Sequence, residues 1–379
     1  EKYFHNVLCL SEAKGMDIIM YHFKLTGSHY QMGFARGIHF RENRLAFPLA
    51  LDPFQLAHGQ KSEKILRDFF PEVCQEIKGV SDAVGAAYLP FASWMLCMGC
   101  CMYNLEETIP REVRGCTAFA FSMDDGRVIY GRNNDLPPYL KKGCRSEFCT
   151  PLGGTPFSLT TSSFINGEEG INAHGLAVAM TFVMTPLEAI RPGFNSCFAV
   201  RYLLEKARNV PEALSLLEAL PIASNCNILL ADKRGEMAVA ECTPAVKRIR
   251  KALRISNGKS GKGRLICTVN SFTSDEMKAY NAAQGDDFGS AERYNTVIRC
   301  LPAHAGKNLV DAAKRLLRGD YGFMCQYDHI PDFETVWSSV FDLKSLMVFR
   351  SEGDPRKIPF LRDRRLHELV QKNSVSSGS

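Results

Sequence analysis

Two short motifs in this chain combine a thiol with charged side chains in an order that suits nucleophilic chemistry. The first is Gly115-Cys116, which opens a stretch whose residues alternate as in a β-strand. The second runs from Gly131 to Asp135, with the sequence Gly-Arg-Asn-Asn-Asp, and follows a turn at Asp124 to Gly126. We therefore expect a β-hairpin that carries a cysteine nucleophile, released by self-cleavage of the bond that joins Gly115 to Cys116.

The hairpin determines which residues return to the cysteine. If the turn centres on its middle residue, antiparallel pairing joins residues whose numbers sum to about 250, which places Cys116 across from Asn134. Arg132 then favours the thiolate, and Asp135 can hold an ammonium group or orient a proton carrier. Because Arg132 and Asp135 differ by an odd number, they would face opposite sides of an unbroken strand. We therefore expect the strand to bend near Asn134 so that both serve one site.

These motifs resemble the N-terminal-nucleophile (Ntn) cysteine hydrolases, in the branch of the choloylglycine (bile salt) hydrolases and the acyl-CoA:6-aminopenicillanic acid acyltransferase (isopenicillin N acyltransferase) group. Cys116-Thr117 is similar to the Cys-Thr start of that family, and Gly131 to Asp135 resembles its Gly-Arg-Asn-x-Asp motif. Residues 172–179 resemble its later Asn-x-x-Gly-Leu/Val-x-x-Ala motif. The resemblance covers residues 16 to 350 and implies an αββα sandwich of two stacked sheets.

The resemblance also implies roles for residues farther along the chain. Asn270 is similar to the oxyanion asparagine of a Thr-Asn motif, and Arg293 is similar to a helix-borne arginine in a Ser-Arg-Phe context. In the bile salt enzymes the strand after the Gly-Leu motif carries an asparagine, and here Thr181 and Phe182 occupy that stretch. We assign Asn172, Thr181 and Phe182 to substrate binding, with a backbone N–H near Thr181 as a candidate oxyanion donor.

In that family the precursor breaks before the cysteine, which implies a catalytic group with two functions in one residue. The thiol of a freed Cys116 attacks, and its own α-amino group, with an ordinary pKa of about 7.7 to 8.0, takes and returns the proton. The same sulfur would attack the Gly115 carbonyl during self-cleavage. The resemblance thus implies an α chain of residues 1–115 and a catalytic β chain of residues 116–372, which remain partners.

Each of these residues also has a purely structural interpretation. A cysteine at a strand start is commonly a small buried apolar residue, and charged residues beside a turn commonly form surface ion pairs. These structural alternatives apply in turn to Cys116, to Arg132 with Asp135, to Asn172 as a turn residue, to Asn270 as a strand-end cap and to Arg293 on a solvated helix face.

Composition indicates an ordinary globular protein. The 379 residues are 45 % hydrophobic and 23 % charged, with a formal net charge of +5. The 14 cysteines are irregularly spaced, which favours free thiols in a reducing, cytoplasmic compartment. Three of them lie between Cys97 and Cys101, but no second Cys-x-x-Cys pair or neighbouring histidine completes four ligands. The sequence therefore predicts no metal site.

The positive charge is concentrated between Lys247 and Arg264, where no acidic residue occurs. Clustered cations attract polyanions, which makes acyl-CoA a candidate acyl donor, whereas the simpler interpretation is a solvated hairpin that turns at residues 256–258. No aromatic residues interleave the cations, which argues against nucleic-acid binding. We expect no cofactor apart from that candidate donor, and a small amide or acyl-thioester substrate.

The elements that must position these residues can be predicted from capping and periodicity. Ser28 can cap a helix through Glu42, and Ser62 another that continues toward Val84 with a break at Pro71. The uncharged stretch from 83 to 105 contains proline and glycine, which favours a buried helix over a membrane span. Hairpins at the start and end of the catalytic region, with helices between, predict an α+β fold: a four-layer αββα sandwich with two antiparallel sheets, a helical N-terminal pro-segment and a disordered tail at 373–379.

The sequence supports three functional hypotheses. The first is an autoprocessed thiol amidase or acyltransferase for linear amide bonds; the residues Pro331-Asp332-Phe333, where the acyltransferase group has an arginine after a serine, disfavour a penicillin-type substrate. The second is a papain-like enzyme that pairs Cys116 with a histidine such as His174 and needs no chain cleavage. The third is a binding protein that keeps the sandwich without catalysis.

Overall fold

A computed structural model describes residues 20–47, 49–101, 115–256, 262–281, 289–306, 308–327 and 333–376. Its strands are β1 (Tyr21–Gly27), β2 (Gly115–Ser122), β3 (Val128–Leu136), β4 (Arg145–Pro151), β5 (Phe157–Thr161), β6 (Glu169–Asn172), β7 (Leu176–Phe182), β8 (Cys226–Asp232), β9 (Met237–Cys242), β10 (Lys247–Lys251), β11 (Leu253–Ser256), β12 (Lys262–Thr268), β13 (Glu334–Asp342), β14 (Met347–Ser351) and β15 (Leu361–Asp363). Its α-helices are α1 (His29–Glu42), α2 (Pro53–Phe69), α3 (Pro71–Val84), α4 (Tyr88–Cys97), α5 (Ser196–Lys206), α6 (Val210–Ala219), α7 (Ser290–His304), α8 (Leu309–Leu317) and α9 (Arg365–Ser376).

The strands form two sheets. One has the order β1-β4-β5-β6-β7-β8-β9-β10, and the other has the order β11-β12-β2-β3-β13-β14-β15. Every pairing within them is antiparallel except that of β1 with β4, which is parallel. The expected pair of antiparallel sheets is therefore confirmed, apart from one edge strand that the segment before Cys116 contributes.

Side-chain alternation on the central strands stacks the sheets and their helices in four layers. Ala118 and Ala120 of β2 pack against Ala177 and Ala179 of β7 in the core between the sheets. Phe119 points to the other side of β2, into a cluster that the second sheet shares with α7 and α8. The outer face of the first sheet is covered by α1 to α6. The predicted αββα sandwich with helices of the N-terminal segment packed on it is therefore confirmed.

The β2–β3 hairpin has the predicted register. Cys116 pairs with Asn134, and Ala118 pairs with Arg132. The expected bend in β3 is wrong, because β3 pairs with β2 without a register shift as far as Asp135. The irregularity lies instead in the next strand, between Thr335 and Trp337 of β13. Arg132 and Asp135 therefore lie on opposite faces of an unbroken strand.

Capping explains where the first helices begin. Ser28 forms a capping box with Gln31 at the start of α1, as predicted. The second helix begins earlier than expected, because Asp52 forms a capping box with Gln55. Ser62, the predicted cap, lies inside α2. The break at Pro71 separates α2 from α3 as expected.

Three further predictions can be compared with the structure. The stretch after Pro138 is rich in glycine, cysteine and charge, which predicts a loop, yet residues 145–151 form β4, where buried Glu147 accepts hydrogen bonds from Arg36 at 2.9 and 2.6 Å. The uncharged stretch from 83 to 105 contains α4, and its residues beyond 101 lie outside the described chain. Within the described ranges no helix is long and apolar enough to cross a membrane. The tail expected to be disordered from 373 is helical as far as Ser376, and 377–379 are not described.

Glycines let α1 and α3 approach closely, and this contact supplies a test of the packing. A Cβ on Gly33 would clash with the Glu76 carbonyl oxygen, whereas a Cβ on Gly306 would meet nothing within 4 Å. We expect Gly33→Ala to lower the free energy of unfolding by about 1 to 3 kcal/mol, measured by urea denaturation, because main-chain atoms must move apart. Gly306→Ala is the control and should change it little. An unchanged urea midpoint for Gly33→Ala would show that the two helices are not packed in this way.

Candidate active site

Cys116 lies at the start of β2 with its sulfur enclosed between the sheets. The residue is 3 % exposed. Its Sγ lies 3.0 Å from Arg132 Nη2 and 3.3 Å from Asn134 Oδ1. Arg132 also donates to Asn134 Oδ1 at 2.6 Å and to the Met180 carbonyl of the opposite sheet. The guanidinium is thus held against the sulfur from two sides.

Burial and the neighbouring Arg132 cation act in opposite directions on the pKa of this thiol. Burial raises the pKa of Cys116, and the Arg132 cation opposes that rise, while Asp135 adds to it. Burial disfavours the charge on Arg132, but the Cys116 sulfur and the Tyr130 and Glu169 side chains hold the pKa of Arg132 above its ordinary value. Arg132 is therefore a permanent positive charge in contact with the Cys116 sulfur.

The main chain of Cys116 is held by two further side chains. Its N–H donates to Asn270 Oδ1 at 2.7 Å, and its carbonyl accepts from Arg293 Nη1 at 2.6 Å. Arg293 Nη2 also donates to Asn270 Oδ1 at 3.0 Å, and Asn270 Nδ2 donates to the Phe182 carbonyl at 3.0 Å. The loop after β12 and the first turn of α7 thus bring Asn270 and Arg293 to one residue.

Asp135 lies across from Gly115, the residue that precedes the cysteine. Its Oδ1 accepts from Thr335 Oγ1 at 2.6 Å, and its Oδ2 is buried with no hydrogen-bond partner in the described part of the chain. A Cβ on Gly115 would lie 3.1 Å from that Oδ2. Burial raises the pKa of Asp135, against the lowering effect of the Arg293 charge. Asp135 Oδ2, which has no hydrogen-bond partner among the described residues, therefore lies beside Gly115 and the bond that joins it to Cys116.

Thr181 and Phe182 lie beside this site, whereas Asn172 does not. Thr181 Oγ1 donates to the Val269 carbonyl at 2.6 Å, which joins the two sheets. Asn172 lies at the far end of the β6–β7 hairpin, where its Oδ1 accepts from the His174 N–H at 3.0 Å and its Nδ2 donates to carbonyls at the end of α5. The substrate-binding assignment of Asn172 is thus corrected: its amide holds a turn, about 17 Å along β7 from Thr181.

Several residues of the site were missed in the sequence. Asn134 was placed across from Cys116 but given no role, although its Nδ2 is buried and has no hydrogen-bond partner among the described residues. Thr335 holds Asp135 from β13, and Asn227 Nδ2 donates to Thr181 Oγ1 at 3.1 Å. The predicted pairing of Asn134 with Cys116 across the hairpin is the sequence signal that could have identified Asn134. Thr335 and Asn227 lie on strands distant in sequence, and only the order of strands in the sheets brings them to the site.

The arrangement does not favour a cysteine–histidine pair. In the ranges that the structure describes, the hydrogen-bond partners of the Cys116 sulfur are Arg132 and Asn134. His174, the predicted alternative partner, lies in the β6–β7 turn with Asn172. The described contacts of the thiol therefore do not include His174, and the nitrogen of Cys116 is held in place by Asn270 Oδ1.

The four-layer sandwich and the buried thiol beside an arginine agree with the class of protein expected from the sequence. Comparison with known proteins identifies the family. The family model described as acyl-coenzyme A:6-aminopenicillanic acid acyl-transferase matches residues 122–357, which is more than half of the chain. The chain belongs to this family. The match includes Arg132, Asp135, Asn270 and Arg293 and begins just after Cys116. Membership supports an enzyme that acts on C–N bonds.

Two solved structures are also similar to this chain. Penicillin V acylase from Agrobacterium tumefaciens is 19 % identical, with a TM-score of 0.41, over 62 % of this chain and 83 % of that one. A mutant of the conjugated bile acid hydrolase from Clostridium perfringens is 12 % identical, with a TM-score of 0.41, over 66 % of this chain and 94 % of that one. The search of curated proteins gives no match.

The contact between Arg132 and the sulfur predicts how the thiol titrates. Replacing Arg132 with Gln removes the cation that lowers the Cys116 pKa, so less thiolate is present at each pH. We expect the pH profile of Cys116 alkylation by iodoacetamide, followed by peptide mass spectrometry, to move upward by about 1 to 3 pH units. Arg248→Gln, on the exposed strand β10, should leave the profile in place. A profile unmoved in Arg132→Gln would show that this guanidinium does not stabilise the thiolate.

Proposed function

We propose that this protein is an autoprocessed thiol hydrolase or acyltransferase that cleaves linear amide bonds through a thioester on Cys116. One observation carries the proposal. The sulfur of Cys116 contacts a buried cation, while the nitrogen of the same residue is held by Asn270 Oδ1 at 2.7 Å. Nucleophile and prospective base thus belong to one residue whose two reactive atoms are separately fixed.

The surroundings of Gly115 support self-cleavage. In that reaction Cys116 Sγ forms a bond to the Gly115 carbonyl carbon, the C–N bond breaks, and the nitrogen takes the proton that the thiol gives up. Water then hydrolyses the thioester, which leaves a Gly115 carboxylate and restores the thiol. A larger residue at 115 would press on Asp135 and Phe333, since an added Cβ would lie 3.1 Å and 3.0 Å from their atoms. Asp135 Oδ2 would then stabilise the new ammonium group.

Substrate turnover would reuse the same groups. The α-amine of Cys116 takes the thiol proton, the thiolate attacks the amide carbon, and the ammonium returns the proton to the leaving amine. Arg132 stabilises the thiolate during attack. Arg293 holds the carbonyl of Cys116 and the oxygen of Asn270, so its role is to position these two groups.

Two side-chain amides can stabilise the oxyanion. Asn270 Nδ2 uses one of its two N–H groups on the Phe182 carbonyl and has the second to offer. Asn134 Oδ1 accepts from Arg132, because a guanidinium group can only donate. Asn134 Nδ2 is therefore the amide atom that has no partner among the described residues. We assign Asn134 as the second oxyanion donor, in place of a backbone N–H near Thr181.

Hydrolysis and acyl transfer share the thioester and differ in whether water or an amine accepts the acyl group. The family description names acyl-coenzyme A, which supports an acyl thioester as a candidate donor. The predicted basic hairpin corresponds to the antiparallel pair β11–β12, whereas β10 belongs to the other sheet. Arg248 and Lys251 are exposed on β10 and Arg254 on β11, while Arg250 donates to Glu241 Oε1 at 3.1 Å. Of the turn predicted at 256–258, Ser256 is the last residue of β11, and the other two residues lie outside the described chain. The exposed cations of β10 and β11 are candidate contacts for the phosphates of such a donor.

Intact-mass spectrometry of the purified protein tests the processing. We expect two fragments, the larger beginning at Cys116, and a single chain without activity for Cys116→Ala, because the attacking sulfur is gone. Cys300→Ser, which changes a thiol outside the site, should be cleaved like the unaltered protein. Cleavage that persists in Cys116→Ala would refute Cys116 as the nucleophile, and an active protein whose bond stays whole would refute the mechanism.

Turnover of the two oxyanion-donor variants tests the assigned amides. Asn270→Ala and Asn134→Leu should each lower kcat by about 100- to 1000-fold, because each removes a donor that acts on the developing charge. Rates should be measured on material already cleaved, since slow processing would also reduce activity. Asn172→Ala, whose amide holds a distant turn, is the control and should keep its kcat when folded. A normal kcat in Asn134→Leu would remove Asn134 from the oxyanion hole.

A further inference from the structure

A second cluster of reactive side chains lies between α2 and the end of α4, in the segment that precedes Cys116. The ligand atoms of His58, Cys100 and Cys101 all lie within 4.8 Å of one another. Cys97, the third cysteine of this segment, lies outside that group, and its Sγ donates to the Gln55 carbonyl at 3.4 Å. The sequence pattern lacked a neighbouring histidine to complete four ligands. The structure brings that histidine from a different helix.

The backbone fixes how these thiols converge. After α4 the chain turns sharply, with the N–H groups of Cys100 and Cys101 both donating to the Cys97 carbonyl, at 3.0 and 2.9 Å. Gln55 holds this turn against α2, because its Nε2 donates to the Cys101 carbonyl at 3.0 Å and its own carbonyl accepts from Cys97 Sγ at 3.4 Å. The hydrogen-bonded turn therefore holds Cys100 and Cys101 beside His58 of α2.

The dimensions and the donor types fit one metal in particular. Cys100 Sγ lies 3.7 Å from His58 Nε2. In tetrahedral zinc sites, with Zn–S near 2.3 Å and Zn–N near 2.0 Å, the S···N separation is roughly 3.6 Å. A turn of the Cys97 thiol away from the Gln55 carbonyl would add a third sulfur to Cys100, Cys101 and His58. Three thiols and an imidazole are a Cys₃His set, which is typical of structural Zn²⁺, whereas iron–sulfur clusters use four cysteines.

The surroundings are those of a closed structural site. His58, Cys97 and Cys101 are 4 %, 0 % and 3 % exposed, and Cys100 is half-buried. A site with four protein ligands and no open position holds a metal without offering it to a substrate. Such a site would join two helices that are separated in sequence by α3.

We propose that His58, Cys97, Cys100 and Cys101 form a structural zinc site that fastens the end of α4 to α2. Zn²⁺ replaces the three thiol protons, which pass to solvent, and no electrons are transferred. The site lies outside the Cys116 machinery, so it does not depend on the proposed catalytic function.

Metal analysis of the full chain tests this site. Protein purified under reducing conditions from zinc-supplemented cells should contain about one zinc per chain by mass spectrometry of the metal. The double variant Cys100→Ser with Cys101→Ser should lose it. Cys300→Ser is the matched control, because Cys300 is a half-buried thiol elsewhere, and should retain the metal. Cys116→Ala should also retain it, which separates this proposal from the catalytic one.

Cobalt substitution provides a readout that does not depend on whether a variant folds well. Unaltered protein, stripped of metal and titrated with Co²⁺, should develop thiolate-to-cobalt absorption that saturates at one equivalent. His58→Asn should weaken or abolish that absorption. Absence of both zinc and the cobalt spectrum from the unaltered protein would overturn the site. So would equal zinc in the double variant, or a disulfide among Cys97, Cys100 and Cys101 in the reduced preparation.

Discussion

The structure around Cys116 depends on one buried charge. Arg132 is fully buried between the sheets, and a charge in that position is tolerated only when its donors are satisfied. Met180 supplies a carbonyl from one sheet, and Asn134 and Cys116 supply an amide oxygen and a sulfur from the other. The small side chains of Ala118 and Ala179 leave room for the guanidinium between the layers. The cation is therefore both a structural link between the sheets and the electrostatic partner of the thiol.

Residues on opposite faces of an unbroken strand can reach the same part of the neighbouring strand. Arg132 and Asp135 can therefore both act at Cys116, although they lie on opposite faces of β3. Arg132 approaches Cys116 on the side of the first sheet and reaches the sulfur. Asp135 and Arg293 approach on the helix side and reach main-chain atoms at or beside Cys116, because the backbone of a strand lies between its two faces. A bend in β3 would have separated Asn134 from Cys116. The bulge is placed in β13, where it lets Thr335 bind Asp135 without disturbing the β2–β3 pairing.

The sequence predicted local features better than distant ones. The turn at 124–126 and strict antiparallel pairing suffice to place Asn134 across from Cys116, and a capping residue and a proline suffice for the starts of α1 and α3. β4 was mistaken for a loop because its charge is neutralised by Arg36 of α1, a partner that no local pattern reveals. Asn172 was misassigned because an asparagine followed a few residues later by a glycine occurs both in structural turns and in binding motifs. His58 was missed for a related reason, since imidazole and thiols meet only once α2 packs on α4.

Buried ion pairs between the two parts of the chain would hold them together after the proposed cleavage. Arg36 and Glu76 belong to the segment before Cys116, and they pair with Glu147 and Arg201 of the segment after it at 2.6 and 2.7 Å. All four side chains are fully buried, so separating the two segments would leave charges unpaired in the core, at a cost of several kcal/mol each. The departure of β1 would also leave the edge of β4 open. Under the proposed cleavage before Cys116, these ion pairs and the β1–β4 pairing would therefore keep the α chain on the first sheet as part of the fold.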